Sequence, residues 1–512
     1  MRFLSILFDR PDVGPAPDQS EPPDYFGDLA LDQVVAAVTA GRGEYRLAPY
    51  FQTPVGDVAT VRYRHEVFRD LEDSRLLGVV REFAEGMQAM RGHLARKAKV
   101  HYQYEQARWF LDAVGTYCGA VGALARDLAS AEPRSAGLCG FRDYLATHVA
   151  AADFATLLGD TRRLKQDLDE IRYRLHVVGS RIRVSLPDPD EPDYSAEVSR
   201  TFDKFKQAAP REYTFEFTSP VWLNQVEAEI LDRVALLNPG TFADLDAFCV
   251  RHEHYLDETI GRFDREIQFY VAYLEHVERL RRTGLPFCYP EVTDESRHER
   301  GRTVFDLALA ASLLAEGVPV VTNEFSLDDP ERILVVSGPN QGGKTTFARM
   351  LGQLHHLAGI GCLVPGTEAR ISLVDRIFTH FEREEDLENL SGKLEEELRR
   401  IHRILGLATA RSLLIMNESF GSTTVQDGLR LGREILGAIV ERDLLCVYVT
   451  FLEELASLGP TMVSMTSTVE PDDPARRTFR IVRRAADGLA YALAIAEKHH
   501  LTYDCVKARL AS

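Results

Sequence analysis

The stretch GPNQGGKTT at 338–346 brings together the residue types that hold a phosphate chain: Gly338, Pro339, Asn340, Gln341, Gly342, Gly343, Lys344, Thr345 and Thr346. It satisfies G-x-x-x-x-G-K-[ST] through Gly338, Gly343, Lys344 and Thr345. Glycines let backbone N–H groups approach phosphates closely, a lysine at this place reaches the β- and γ-phosphates, and the hydroxyl after it ligates Mg²⁺. A second polar step, Asn417-Glu418, ends the apolar run 413–416. Enzymes that hydrolyse nucleotides usually close such a strand with Asp-Glu, the Asp helping to hold Mg²⁺ and the Glu handling the attacking water. Glu418 is therefore the candidate catalytic carboxylate. Thr345 is the candidate metal ligand, with Asn417 contributing through a metal-bound water. An amide oxygen brings no charge, so the metal is expected to be held more weakly.

Between these stretches lies Leu390-Ser391-Gly392-Lys393. It is close to the L-S-G-G-Q signature with which ABC-type ATPases touch the γ-phosphate of a facing subunit. Two readings stand. Ser391 and Gly392 act in trans on a partner's nucleotide at a helix start, where N–H groups favour an anion, or Ser391 is an ordinary helix N-cap.

The elements needed to position these residues are visible in the pattern. ILVVS precedes the glycine-rich loop and FARMLGQLHHLAG follows it, so the loop is pinned between strand and helix. RILVVSG, SLLIMNE and LLCVYVT alternate with helical segments, which predicts a parallel sheet with crossover helices. Upstream the character is different. Residues 29–131 are helical in pattern, and so is the segment that ends in TRRLKQDLDEI. RYRLHVVGSRIRVSL alternates around Gly179-Ser180 and predicts a β-hairpin. REYTFEFTS at 211–219 is expected to be a strand, and Phe242 to Arg282 one or two long helices. The expected division is a flexible leader over 1–27, a helical lever domain over 28–284 with a clamp insertion near 160–240, and an α/β nucleotide-binding domain over 285–512.

A net charge of −18 argues against a broadly basic, nucleic-acid-coating surface but leaves room for a local basic patch. Seven scattered cysteines without C-x-x-C spacing fit reduced thiols in a cytoplasm. The apolar run at the N-terminus is too short for a secretion signal. The best membrane candidate, around 304–321, is broken by Asp306, Glu316 and Pro319. The histidine pairs at 252 and 254, 355–356 and 499–500 lack other ligands at metal spacing.

From residue 318 onward the chain resembles the ATPase domain of the MutS family. The resemblance rests on GPNQGGKTT, DRIFTH at 375–380, NESFGSTTVQDG at 417–428, VTF at 449–451 and DGLAYALAIAEKHHL at 487–501, in family order. More loosely, residues 28–71 resemble the start of the family's helical lever, and 160–240 occupy the place of its DNA-contacting clamp. The resemblance implies an ABC-like P-loop NTPase fold preceded by a mainly α-helical lever with a small β-containing clamp. It also implies ATP and Mg²⁺ as cofactors, a homodimer with composite sites, and DNA as a partner. The 27 residues before Asp28 are too few for the family's mismatch-reading and connector domains, and no nuclease domain is expected after Ser512.

Departures fall at the site itself. Asn417 stands for the family's Asp, Phe451 for a His, and Val320 for an adenine-stacking aromatic, while Glu418, Thr423 and Asp427 match. The expectation is an ATPase with competent binding and slowed hydrolysis.

Arg162, Arg163, Lys165, Arg172, Arg174, Arg181 and Arg183 outweigh Asp167, Asp169 and Glu170 across the hairpin region. Arg172, Arg174, Arg181 and Arg183 are the candidate DNA contacts, neutralising backbone phosphates without reading sequence. The alternative is a solvated helix face with i,i+4 ion pairs. The favoured function is an ATP-switched dimer that embraces DNA without a mismatch reader. The alternative is an ATP-dependent conformational module that acts on a protein partner and does not bind DNA. A small-molecule kinase would leave the long helices unexplained.

Overall fold

A computed structural model describes residues 3–10, 21–187, 223–382, 392–421, 423–470, 473–485 and 507. Ser391, the strand expected over 211–219 and the stretch 487–501 lie outside the described residues. The chain divides into two compact units: Met1–Phe3, Ser74–Pro133 and Cys139–Asp264 form the first, and Leu4–Asp73, Arg134–Leu138 and Arg265–Ser512 the second.

The first unit is helical because its sequence repeats apolar residues every three or four positions. On the helix Gln103–Ala131, Phe110, Leu111, Val114, Tyr117, Cys118, Val121, Leu124 and Leu128 form one buried stripe. The helix Ser74–Lys97 packs on it closely, because Gly86 carries no side chain. A Cβ built there would lie 2.7 Å from that of Ala120. The rings of Phe141 and Phe263 stack with centroids 3.5 Å apart. The long helical stretch is two helices, Pro239–Arg251 and Glu258–Arg281, of which the second belongs to this unit only as far as Asp264. Asp257 restarts the chain by accepting the Ile260 N–H at 2.9 Å, as an N-cap does. The expected hairpin pairs Arg174–Val178 with Arg181–Ser185, antiparallel. Gly179 supplies the positive φ, 58°, that so tight a connection requires. A described helix, Gln225–Leu237, follows, opened by a reciprocal cap between Asn224 and Glu227.

The second unit is α/β. Its six-stranded sheet runs in the order 377–381, 413–417, 445–449, 333–337, 462–470, 473–483. The first five strands are mutually parallel and the last is antiparallel to its neighbour. Strands buried on both faces read as continuous apolar runs, and Ile333–Ser337, Leu413–Asn417 and Leu445–Val449 are buried throughout. A mixed four-stranded sheet (291–293, 368–372, 299–304, 323–327) lies in the same unit.

The helix Lys344–Gly359 is buried on nearly every side. N-terminal residues are joined to it: Gln353 Nε2 donates to Leu29 O at 2.9 Å, and His356 meets Tyr25 Oη at 3.1 Å and Phe51 O at 2.7 Å. Among the described residues no helix is long and apolar enough to cross a membrane.

Candidate functional site

The glycine-rich loop leaves the buried strand at Ser337 and enters its helix at Lys344. Its path needs positive φ at Gly338 (113°), Gln341 (59°) and Gly343 (87°). The two glycines adopt this without a Cβ clash, whereas Gln341 holds a conformation rare for its type. Lys344 is 4% exposed. Its Nζ donates to Gly338 O and Pro339 O at 3.1 Å and to Asn340 Oδ1 at 3.3 Å. Burial pulls its ammonium below the usual lysine range, nearby Glu418 opposes this, and Arg477 adds to it.

Parallel register carries Asn417 to the end of its strand, between Phe381 and Val449. There its Oδ1 accepts a hydrogen bond from Thr345 Oγ1 at 2.9 Å. Glu418 follows with its side chain 41% exposed and its carboxylate 3.9 Å from Lys344 Nζ. Its N–H donates to Val449 O at 3.0 Å. Its φ is 54°, and that of Phe420 is 65°. Non-glycine residues held there cost about 1–3 kcal/mol each and cluster where geometry serves function. Asp427 lies in the first turn of the helix Val425–Glu441, paired with its N-cap Thr424. Phe451 is half exposed, Val320 is partly buried, and Gly392 is the exposed N-cap of the helix Lys393–Leu407.

The structure adds residues that no local motif marks. Ser467 Oγ donates to Gly342 O at 2.7 Å. Arg477 Nε donates to Asn340 O at 3.2 Å. Backbone and Cβ atoms of Phe479 would stand 3.7 Å from a Cβ at Gly343, and Asn323 Nδ2 donates to Phe479 O at 3.3 Å. All but Asn323 belong to the antiparallel pair 462–470 and 473–483, whose register shifts beside Ser467 and Val469. Parallel pairing of Thr466 with Ser337 carries Ser467 to the loop, and the Ser467 and Arg477 contacts span more than a hundred residues, so sequence spacing gives no signal for them.

No group of three or more metal-ligating side chains occurs among the described residues. The Thr345 hydroxyl and the Asn417 amide oxygen are hard, neutral donors. They fit a Mg²⁺ ion brought in on a nucleotide's phosphates, not one held by the protein alone.

In the first unit, hairpin register puts Arg174, His176, Arg181 and Arg183 on one face, together with the exposed Val178, and Leu175, Val177, Ile182 and Val184 on the other. Arg172 instead donates to Asp169 O at 2.6 Å and Ile171 O at 3.1 Å, closing the preceding helix.

The family model for MutS domain V matches residues 334–509. The DNA mismatch repair protein MutS of Chlorobium limicola is 33% identical over 290 residues, which is 55% of this chain and 32% of that protein. The Endonuclease MutS2 of Thermus thermophilus is 32% identical over 189 residues, 36% of this chain and 25% of that protein. The mismatch repair protein MutS of Chlorobaculum tepidum is 32% identical over 190 residues, 36% of this chain and 22% of its own length. The aligned region thus covers a third or less of these relatives. With a parallel-rich sheet, a glycine-rich loop opening its buried helix and these similarities, residues 334–509 are identified as a MutS domain V, the ABC-like P-loop ATPase domain.

Proposed function

We propose that this protein is an ATP-switched MutS-like ATPase, working as a homodimer that embraces DNA, and turning over slowly. ATP lies along 338–346, with Lys344 against the β/γ-phosphates. Thr345 and Asn417 would hold a Mg²⁺ ion brought in by the nucleotide, which would supply positive charge against the phosphates. Glu418 orients or deprotonates the attacking water. Ser391 and Gly392 of the second copy complete the site. The observation that carries the reading is the meeting of Lys344, Thr345, Asn417 and Glu418 at one loop. An asparagine accepting the Thr345 hydroxyl keeps the geometry of such a site while withholding a charge, so binding should survive better than rate. The reading places the protein in a reducing cytoplasm, to which the free thiols of Cys118, Cys362 and Cys446 are suited.

Calorimetry with ATP and single-turnover hydrolysis test this. Lys344→Ala should lose most ATP affinity while remaining folded, and Glu418→Gln should bind ATP but abolish the slow turnover. Asn417→Asp should raise the rate. An unchanged affinity in Lys344→Ala would refute the site.

The second reading, a module acting on a protein partner, is favoured by the hairpin's apolar face. Leu175 is 43%, Val177 64% and Ile182 41% exposed. The cationic face opposite favours DNA, and phosphate binding by Arg174, Arg181 and Arg183 is the reading adopted. Arg172, already satisfied by the helix end, contributes less.

A further inference from the structure

Glu418 and Phe420 both hold positive φ, 54° and 65°, with the buried Ser419 between them. Residues with a Cβ keep that conformation only where their surroundings impose it. The neighbouring strand supplies part of the restraint, since Glu418 N–H donates to Val449 O at 3.0 Å. The Phe420 ring supplies more, being buried in one cluster with Ile401, Ile404, Met416 and Tyr448. A further hold comes from a side chain on another element: Phe420 N–H donates to Glu397 Oε2 at 3.1 Å.

Glu397 belongs to the helix Lys393–Leu407. Glu395 and Glu396 before it are exposed, and Glu395 pairs with Arg399, whereas Glu397 is partly buried and reaches the turn. Three residues on, Arg400 donates to Thr379 O at 2.9 Å and to Phe381 O at 3.4 Å, and Phe381 lies beside Asn417 in the sheet. One helix therefore holds both the strand next to Asn417 and the turn that follows Asn417. The Phe420 amide is two residues from Glu418, so what fixes that amide also fixes the direction in which the Glu418 side chain leaves the turn. Misplacing a reacting group by about 1 Å can slow a reaction about a hundredfold.

We propose that Glu397 is a positioning residue for Glu418: by holding the Phe420 N–H it keeps the strained turn in the shape that aims the Glu418 carboxylate at the attacking water. This rests on the reading of Glu418 given above. Glu397 acts through the turn, on the rate of hydrolysis and not on ATP affinity.

The test compares wild type, Glu397→Ala, Glu397→Gln and Glu395→Ala in the full chain, by single-turnover hydrolysis, calorimetry with ATP and amide exchange at Phe420. Glu397→Ala should slow hydrolysis by about tenfold or more and leave ATP affinity within about twofold of wild type. Its Phe420 amide should exchange about tenfold faster or more. Glu397→Gln, which still offers an oxygen to that amide, should keep most of the rate and the protection. Glu395→Ala, which removes a carboxylate from the same helix without touching the turn, should match wild type throughout. The same set on the Asn417→Asp background, where turnover should be faster, keeps the rate measurable. Glu397→Ala hydrolysing at the wild-type rate, or protecting its Phe420 amide as wild type does, would overturn the proposal, because burial of the Phe420 ring would then suffice. So would a glutamine variant as slow as alanine, a Glu395→Ala variant slowed equally, or a Glu397→Ala variant that loses ATP affinity in step with rate. Glu418→Gln separates the two levels. If it hydrolyses ATP like the wild type, the carboxylate itself is misassigned; if it is inactive while Glu397→Ala is not slowed, only the positioning role falls.

Discussion

Glu299 sits 2% exposed in the core of the second unit, its Oε1 accepting the Ser372 N–H at 2.8 Å and its Oε2 lying 3.6 Å from His355 Nε2. Burial pushes this carboxyl up to about 8, against the relief given by Ser372 and Arg370, and pushes the imidazole of His355 down to about 4. Both shifts favour neutral groups, so the pair is carboxylic acid beside imidazole. The unfolded chain releases the Glu299 proton near pH 4.5, the folded one only near 8, so stability falls as pH rises through that window. Glu299→Gln, which keeps an acceptor for Ser372, should flatten the loss. Denaturant unfolding at pH 6 and pH 8.5 should show the variant gaining on wild type at the higher pH by about 1–3 kcal/mol. A wild type equally stable at both would refute the assignment. At this scale the sequence is informative where chemistry is contiguous. A glycine-rich loop needs only its own backbone and the next lysine, so 338–346 declares itself. Nothing in the types of Ser467 or Arg477 says that sheet pairing returns them to that loop.

Elements follow the same logic at longer range. The hairpin at 174–185 is readable from period-two alternation around Gly179, since a strand pair closed by two residues is local. The break between the helices ending at Arg251 and beginning at Glu258 is not, because it is not made by Gly or Pro. It is made by Asp257 capping the Ile260 N–H while its carboxylate accepts the Tyr144 hydroxyl, a partner more than a hundred residues away. Two glycines on the long helices of the first unit give a paired test. At Gly86 an added methyl would meet Ala120, whereas at the exposed Gly119 it would meet nothing within 4 Å. Gly86→Ala should destabilise by about 1–3 kcal/mol through overpacking. Gly119→Ala should stabilise by about 0.5–1 kcal/mol by favouring helix over unfolded chain. Thermal or denaturant unfolding of both variants checks the opposite signs, and like signs would mean that the interface can adjust.

For the molecule as a whole, a signature in trans requires a second copy, so ATP should tighten a two-fold dimer. Sedimentation at micromolar protein should shift toward dimer with saturating ATP, and an unchanged monomer would remove the composite site. Charge reversal at Arg181 and Arg183 should weaken DNA binding to all sequences alike and lower the salt slope by about 1 per residue. A wild type that binds no DNA at low salt would promote the protein-partner reading. The acidic sequence, net −18, masks such a patch in any whole-chain average, and only the hairpin register sorts its arginines onto one face.

The bonds that Ser467 and Arg477 make to Gly342 and Asn340 have a thermodynamic consequence. A glycine-rich loop left to itself samples many shapes, and ordering it would oppose ligand binding with an entropic penalty. Here neighbouring strands already hold two of its carbonyls, so the loop surrenders little freedom when a nucleotide enters. Association should then be enthalpy-led, with a small heat-capacity change and little dependence of the entropy term on the length of the phosphate chain. Ser467→Ala would release one of those carbonyls. It should leave the binding enthalpy nearly intact while making the entropy less favourable, as expected of a residue that shapes the receptor in advance without touching the guest.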